Sequence, residues 1–176
     1  SDLEHPTQII SDIFTIKEVF NKKNIRKINI CYIGDANNIA ISFAKIAKIL
    51  NLKFTFCCPK KYSKPIAKII NEEIGLSLTT DCNKAFHNAD VIYTDVWTSM
   101  GMEKENAIRL KDFKKYQVTK TLMQKTSNKS VFMHCLPAHI GEEVTLDVIN
   151  SDKSIVYQQA ENKLYSAMAI IDFFLS

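Results

Sequence analysis

The strongest constraint on the fold is a regular alternation between two sequence patterns. Short apolar stretches predict strands, and longer segments with apolar residues every three or four positions predict helices. The predicted strands cover residues 28–33, 54–57, 76–79, 91–95, 131–135 and 155–157. The predicted helices cover residues 6–21, 39–50, 65–74, 83–87, 105–113, 120–125, 142–149 and 161–174. Because parallel strands need crossovers, this order predicts one α/β domain over residues 1–176, a doubly wound, mainly parallel sheet with helices on both faces.

Composition narrows the class of protein. Hydrophobic residues make up 46% of the chain and charged residues 24%, which is typical of a soluble globular protein. No apolar run approaches the roughly 18 residues that a membrane-spanning helix needs. The net charge of +4 is mild, and no dense basic stripe with aromatics points to nucleic acid. Five cysteines without a Cys-x-x-Cys pair, and no secretory signal at the start, lead us to expect reduced thiols and a cytoplasmic location.

The predicted strand ends carry most of the polar side chains suited to a ligand site. Ligands of doubly wound sheets bind beyond the carboxyl ends of the strands. Here those ends are followed by residues 34–38, 95–101 and 134–139, which supply amide, carboxylate, hydroxyl, thiol and imidazole groups. Residues 34–38 hold one glycine, so the Gly-x-Gly-x-x-Gly pattern of a nicotinamide site is missing. No Gly-Lys-Ser/Thr segment points to a nucleotide P-loop either.

Several of these residues are open to two interpretations. Asn38 could cap the following helix or present its amide to a ligand. Asp95 could bind an ammonium group or cap its own turn. Cys135 could be a partly exposed thiolate or a buried, apolar thiol. His134, Cys135 and His139 supply only three donors in sequence, so we expect no metal site.

Four motifs, in this order and at these separations, resemble ornithine carbamoyltransferase. They are His-Pro-Thr-Gln at residues 5–8, Asp-x-Trp-x-Ser-Met-Gly at 95–101, His-Cys-Leu-Pro at 134–137 and Gln-Ala-Glu-Asn at 159–162. The second motif separates the ornithine enzymes from the related aspartate and putrescine carbamoyltransferases. The resemblance implies a Rossmann-like ornithine-binding domain of an enzyme of arginine metabolism. Such an enzyme transfers the carbamoyl group of carbamoyl phosphate to the side-chain amine of L-ornithine, giving citrulline and phosphate without metal or organic cofactor.

The resemblance also implies roles for individual residues. The residues expected to bind ornithine are Asn38, Asp95, Ser99 and Met100. The residues expected to bind carbamoyl phosphate are His5, Thr7, Gln8, Cys135, Leu136 and Lys163. The amine must be neutral to attack, so Asp95 and a Cys135 thiolate are expected to orient it and accept its proton. His5 is expected to donate to the carbonyl oxygen as negative charge develops there.

The chain also departs from the family pattern. It has about half the family's length, and the preceding carbamoyl phosphate domain, with its Ser-x-Arg-Thr loop, is expected to be absent. Lys163 stands where the family has an Arg, and Ile140 where a basic residue is common; a lysine lacks the planar two-donor fork. We therefore expect no turnover by this chain alone. The resemblance implies that the parent enzyme is a homotrimer or a higher assembly, in which each active site borrows a loop from a neighbouring subunit. Because that loop belongs to the absent half, this chain alone is expected to be monomeric.

Two alternatives remain. The chain could be a noncatalytic amino-acid-binding or regulatory relative that kept the ornithine pocket; Lys163 favours this, whereas Cys135 and His5 disfavour it. The interpretation as an oxidoreductase that uses a nucleotide cofactor depends on sheet topology alone, which is a weak basis for assigning function.

Overall fold

The computed structural model describes residues 3–70, 75–98 and 105–176, which form a parallel sheet covered by helices. The strands are β1 (Asn29–Ile33), β2 (Lys53–Cys57), β3 (Leu76–Thr79), β4 (Val91–Thr94) and β5 (Val131–His134). The helices are α1 (Pro6–Val19), α2 (Asn38–Leu50), α3 (Lys64–Ala67), α4 (Cys82–Phe86), α5 (Asn106–Phe113), α6 (Lys120–Met123), α7 (Leu146–Ile149) and α8 (Val156–Leu175). These elements confirm the predicted α/β class.

The strand order β3-β2-β1-β4-β5 makes the sheet doubly wound. All four neighbouring pairs are parallel. The chain builds outward from β1 to β3 and then returns to β4 on the other side of β1. Since parallel crossovers are right-handed, this reversal sends the connections to opposite faces of the sheet. Helices α1, α2 and α8 pack on one face and α4 on the other, and the strand order reverses between β1 and β4.

Aromatic side chains fill the layer between the sheet and α2. Tyr32 stacks on Phe56 and on Tyr93 in the two neighbouring strands, with ring centroids 5.3 and 5.5 Å apart. Phe43 from α2 covers this row and lies 5.4 Å from the Tyr93 ring. These side chains are almost completely buried, which makes the row a main part of the hydrophobic core. The hydroxyl groups of Tyr32 and Tyr93 extend from this core toward polar residues of the strand ends and α1.

The structure corrects four of the predicted elements. The predicted strand 155–157 is wrong, because Val156 already begins α8 and the preceding Ser154 makes only an isolated bridge to Phe132 of β5. Helix α8 therefore starts five residues before the predicted 161–174 helix. The predicted helix 142–149 is reduced to α7, and α3 covers only the first part of the predicted helix 65–74, whose residues 71–74 lie outside the described residues. Within the described ranges, we find no helix that is long and apolar enough to cross a membrane.

Candidate active site

Three strand ends meet where the strand order reverses. The last residues of β1, β4 and β5 are in register, so the segments that follow them leave the sheet side by side. Asp35, Asp95 and Cys135 lie in these segments, and each is less than 10% exposed. Such a reversal is where doubly wound sheets bind ligands. The structure therefore brings together the three strand ends that the sequence indicated.

Asp95 is the centre of this cluster. Its Oδ2 accepts a hydrogen bond of 2.7 Å from the side-chain amide of Asn37, which spans the gap between β1 and β4. Its Oδ1 accepts a hydrogen bond of 3.0 Å from the Cys135 thiol and one of 2.8 Å from the backbone N–H of Val96. The bond from Val96 is the turn-capping contact expected as one alternative. The contacts from Asn37 and Cys135 also fix the carboxylate in one orientation. It lies in the crevice between the ends of β1, β4 and β5.

Cys135 is a thiol in this environment. Burial raises its pKa well above the ordinary value, and the negative charge of Asp95 acts in the same direction. The ammonium group of Lys163 opposes this rise but does not reverse it. The Cys135 thiol accordingly keeps its proton and donates a hydrogen bond to Asp95. The predicted thiolate is therefore not supported, because a buried sulfur beside a carboxylate is a poor place for a second negative charge.

The helix cap that the sequence suggested for Asn38 belongs to its neighbour. The Asn37 side-chain oxygen accepts from the backbone N–H of Ala40 at the start of α2. Asn38 is the first residue of the helix, and its oxygen accepts from the backbone N–H of Ile39. Asn37 thus joins the helix cap to Asp95, a role that sequence reasoning missed. The predicted ornithine ligands Ser99 and Met100 lie outside the described residues.

Most of the residues predicted to bind carbamoyl phosphate line a single groove between the start of α1 and α8. The groove has a volume of about 450 Å³. Its polar lining comes from His5, Thr7, Gln8 and Lys163, and its apolar lining from Ala167, Ile170 and Ile171. The Lys163 ammonium group donates to the backbone carbonyl of Cys135. This bond connects the groove to the strand end that carries the thiol.

His5 stands at the entrance to α1 as a neutral base. Its backbone N–H donates to the Ser42 hydroxyl at 2.8 Å, which ties this segment to α2. Partial burial lowers the pKa of the imidazole, as does the positive charge of Lys163, while Asp95 acts in the opposite direction. The ring is therefore uncharged at pH 7. The ring lines the groove, where the positive charge of Lys163 and the negative charge of Asp95 act on its pKa in opposite directions.

Gln8 extends into a buried polar network that holds α1, α8 and two strands together. Asp12 is its centre: Oδ1 accepts from the side-chain amides of Gln8 and Gln159, both at 2.8 Å. Oδ2 accepts from the Tyr93 hydroxyl at 2.8 Å. Gln159 in turn accepts the backbone N–H of His134 at 2.9 Å. Burial raises the pKa of Asp12 to about 6, although all three donors act in the opposite direction.

Sequence reasoning assigned no role to Asp12 or Gln159. A signal for Asp12 was present, because it lies three residues after Ile9 and four before Ile16 and so falls on the buried face of the predicted helix. A carboxylate on such a face requires polar partners from other elements. Gln159 belongs to a motif of the family resemblance, but its contacts with two strands could not be derived from its position in the chain.

His134, the last residue of β5, holds the loop that follows this strand in place. The backbone N–H of Leu136 donates to His134 Nδ1 at 2.9 Å, so this nitrogen carries no proton and Nε2 donates to Glu143 at 3.1 Å. Leu136 has a φ of +53°, a left-handed conformation that is costly for a leucine and common at functional sites. Glu143 also accepts the backbone N–H of His139. His134 therefore supports the loop that presents Cys135.

The three metal donors considered in the sequence do not form one cluster. Among the described residues, potential donor atoms converge in two separate groups: Asp95 with His134 and Cys135, and His139 with Glu142 and Glu143. In the first group both ring nitrogens of the histidine and the thiol proton are engaged by protein partners. The side chains of this group thus hydrogen-bond to one another and to the loop after β5.

An ion pair beside the crevice was also missed. Arg109 of α5 contacts the Asp35 carboxylate, and its Nε donates to the backbone carbonyl of Trp97 at 2.7 Å. The guanidinium also lies over the ring of Tyr62, 4.7 Å from its centroid. The pair is almost fully buried and fixes the beginning of the loop after β4. One signal existed, since Arg109 is one of only two arginines in a chain rich in lysine.

Comparisons with known proteins agree with this fold and point to one family. Residues 26–174 match the family model "Aspartate/ornithine carbamoyltransferase, Asp/Orn binding domain". The ornithine carbamoyltransferase of Syntrophus aciditrophicus is 41% identical over 99% of this chain, and that of Archaeoglobus fulgidus is 42% identical over 97%. Among solved structures, the ornithine transcarbamoylase of Giardia lamblia superposes with a TM-score of 0.88 at 38% identity over 99% of this chain. The enzyme of Pyrococcus furiosus gives 0.87 at 42% identity over 97%.

The matches cover nearly all of this chain but only part of each relative. This chain covers 59% of the Syntrophus protein, 56% of the Archaeoglobus protein, 60% of the Giardia chain and 56% of the Pyrococcus chain. It thus spans little more than half the length of the relatives it matches. The matched family model nevertheless covers most of the chain. The chain belongs to the aspartate/ornithine carbamoyltransferase family and corresponds to its Asp/Orn-binding domain.

Proposed function

We propose that this chain is the ornithine-binding part of an ornithine carbamoyltransferase. The reaction transfers the carbamoyl group of carbamoyl phosphate to the side-chain amine of L-ornithine and yields citrulline and phosphate. The observation that carries the proposal is the buried Asp95 carboxylate, fixed at the reversal of strand order by Asn37 and Cys135. The names of the matched relatives support ornithine as the amino acid. Since this chain covers 60% or less of those proteins, the complete reaction belongs to a longer polypeptide.

The chemistry follows from the charges at the crevice. A buried carboxylate attracts the ammonium form of an amine far more strongly than a solvated one, because less water screens the interaction. Asp95 therefore binds and orients the side-chain amine, together with Asn38 and the predicted ligands Ser99 and Met100. The amine must lose a proton before its nitrogen attacks the carbonyl carbon, and the Asp95 carboxylate that binds the amine accepts this proton. The thiol of Cys135 keeps the carboxylate aligned and stabilises its negative charge.

The groove between α1 and α8 receives the carbamoyl phosphate. His5 is neutral at pH 7 and donates a hydrogen bond to the carbonyl oxygen, on which charge grows as the new C–N bond forms and the bond to phosphate breaks. Gln8, Thr7 and the backbone around Leu136 complete the polar lining. Lys163 offers one positive charge to the phosphate, in exchange for its present bond to the Cys135 carbonyl. Holding both reactants in this geometry contributes roughly 7 to 11 kcal/mol to such reactions.

Titration of the isotope-labelled chain with L-ornithine, followed by NMR, tests the ornithine site. We expect shifts confined to residues near the ends of β1, β4 and β5, and at least tenfold weaker binding in the Asp95→Asn variant. Asp147→Asn, an exposed carboxylate at the start of α7, is the matched control and should bind as the unchanged chain does. Equal affinities for the unchanged chain and Asp95→Asn, or a response to L-aspartate but not to L-ornithine, would contradict the proposal.

A second function has one specific observation in its favour. The Lys163 ammonium group, which was predicted to bind phosphate, donates to a backbone carbonyl within its own domain. A noncatalytic amino-acid-binding or regulatory relative would retain the ornithine site without the phosphate contacts. Citrulline formation by the complete natural polypeptide distinguishes the two: turnover supports the transferase, and ornithine binding without turnover supports the relative.

Three further properties remain proposals. We expect this chain alone to form no citrulline, and measurable turnover by it would show that the phosphate contacts present here suffice. We expect a monomer of this chain in light scattering, whereas the complete protein is proposed to form a homotrimer or a higher assembly. A cytoplasmic location fits the five cysteines, all of which are free thiols in the described structure, and cell fractionation would test it.

A further inference from the structure

A pair of cysteines lies away from the crevice, between the end of β2 and the start of α4. The sulfur atoms of Cys57 and Cys82 are 4.0 Å apart, although the residues are separated by 24 others in sequence. Cys57 is fully buried, whereas Cys82 is partly exposed. The carbamoyl transfer described above uses neither thiol. Two sulfurs at this distance need an approach of about 2 Å to reach the bond length of a disulfide.

The partly exposed thiol is open to small molecules. Cys82 lines a surface groove of about 510 Å³, together with Thr80, Asp81, Lys114 and Lys115. Its thiol also donates a hydrogen bond of 3.4 Å to the backbone carbonyl of Lys115. A small oxidant can thus reach Cys82 from solvent, whereas Cys57 has no exposed surface.

The two sulfurs also differ in chemical character. The Cys57 thiol donates toward the Cys82 sulfur, which lowers the pKa of Cys82, and the positive charge of Lys115 lowers it further. The same contact, together with burial, raises the pKa of Cys57. Cys82 is therefore the sulfur that ionises first, and the thiolate is the form that reacts with oxidants.

We propose that Cys82 and Cys57 form a redox site that a hydroperoxide converts to an intramolecular disulfide. The Cys82 thiolate attacks one peroxide oxygen, the O–O bond breaks, and hydroxide leaves, so that sulfur is oxidised to a sulfenic acid and the peroxide is reduced. The Cys57 sulfur then attacks the Cys82 sulfur; the S–S bond forms, the S–O bond breaks, and the leaving hydroxide takes the Cys57 proton to give water. In total, two thiols and one hydrogen peroxide give one disulfide and two waters.

Neighbouring cysteines provide matched controls. Cys58 is adjacent to Cys57 in sequence and equally buried, but it has no described contact with Cys82. Cys31 is buried in β1 on the same side of the sheet as Cys57. If proximity to Cys82 decides the reaction, only the loss of Cys57 or Cys82 should abolish it.

The experiment is peptide mapping of the 176-residue chain after brief exposure to hydrogen peroxide and alkylation of the remaining thiols. Trypsin leaves Cys57 and Cys58 together in residues 54–60 and Cys82 in residues 69–84. We expect these two peptides to be crosslinked, with the loss of two hydrogens in mass, and to separate after treatment with dithiothreitol. The crosslink should persist in Cys58→Ser and Cys31→Ser and disappear in Cys57→Ser and Cys82→Ser.

Three results would overturn the proposal. They are a crosslink that survives Cys57→Ser, oxidation of Cys82 to the sulfinic acid without a crosslink, and oxidation of Cys135 while Cys82 remains a free thiol. Cys82→Ala provides a second variant if Cys82→Ser does not fold, because its side chain is partly exposed and its removal leaves little empty space. In that variant, too, peptide 54–60 must remain uncrosslinked.

Discussion

Replacing Asp12 by Asn should stabilise the folded chain at neutral pH. Asp12 is fully buried, and burial raises its pKa from 3.8 to about 6 even though three side chains donate hydrogen bonds to it. A difference of about two pKa units corresponds to about 3 kcal/mol. That is the free energy which the folded chain loses, above pH 6, by keeping this carboxyl group ionised.

The effect should depend on pH in a defined direction. Because the pKa of Asp12 is higher in the folded state, the folded chain binds more protons than the unfolded chain between about pH 4 and pH 6. The contribution of Asp12 to the free energy of unfolding therefore falls as pH rises through this window. An amide resembles the protonated carboxyl group, since its oxygen accepts from Gln8 and Gln159 and its nitrogen donates to Tyr93. The advantage of Asp12→Asn should thus be about 3 kcal/mol above pH 7 and approach zero near pH 4.

Urea unfolding followed by circular dichroism, at a series of pH values from about 4.5 to 8, measures this difference. Asp112→Asn is the control, because the hydrogen bond from the Tyr62 hydroxyl lowers the pKa of Asp112 and its contribution must have the opposite slope. The reasoning is refuted if Asp12→Asn is less stable than the unchanged chain at pH 8. It is also refuted if the difference between the two chains does not change with pH.

Three other substitutions follow from the contacts at the crevice. Arg109→Met should lower the free energy of unfolding by about 3 to 5 kcal/mol, measured by urea titration, because it leaves the Asp35 carboxylate buried without its cation. Lys163→Arg should tighten binding of carbamoyl phosphate roughly tenfold in calorimetry, since a guanidinium adds a second charged donor. In NMR titrations His5 should have a pKa below 6.5, and Asp95→Asn should lower it further, because the negative charge of Asp95 raises it.

The sequence predicted two strands well because they are uniformly buried, whereas β2 and β3 have partly exposed positions. Strands β4 and β5 are buried at every position, so an uninterrupted apolar stretch identifies them without reference to the rest of the chain. The start of α8 could not be found in this way. Residues 155–157 form an equally apolar stretch, but Val156 begins a helix, in which Gln159, one turn later, bonds to Asp12 and to the backbone of β5. Contacts between distant segments decide such a boundary.

In the candidate site, too, some features could be predicted from the sequence and others depend on contacts between distant segments. The positions of Asp95 and Cys135 at strand ends followed from the order of the elements alone, whereas the pairing of β4 with β5 is a finding of the structure. The protonation state of Cys135 did not, because it depends on the 3.0 Å contact between two side chains that are 40 residues apart. Asn37 and Asn38 are adjacent and chemically identical, and only the direction of α2 decides which of them reaches Asp95.

The buried carboxylates suggest why prediction fails in these places. Asp12, Asp35, Asp95 and Glu143 are all almost fully buried, and each is held by donors from other elements of the fold. For Asp12 and Asp35, burial raises the pKa despite these donors, so the ionised groups lower stability at neutral pH. A fold selected for stability alone would replace such groups by apolar residues of similar size. Asp35 and Asp95 follow the two strands between which the strand order reverses, and their charged or hydrogen-bonding partners are already in place. If the proposed function is correct, these preorganised carboxylates need not reorient when the amine of ornithine arrives.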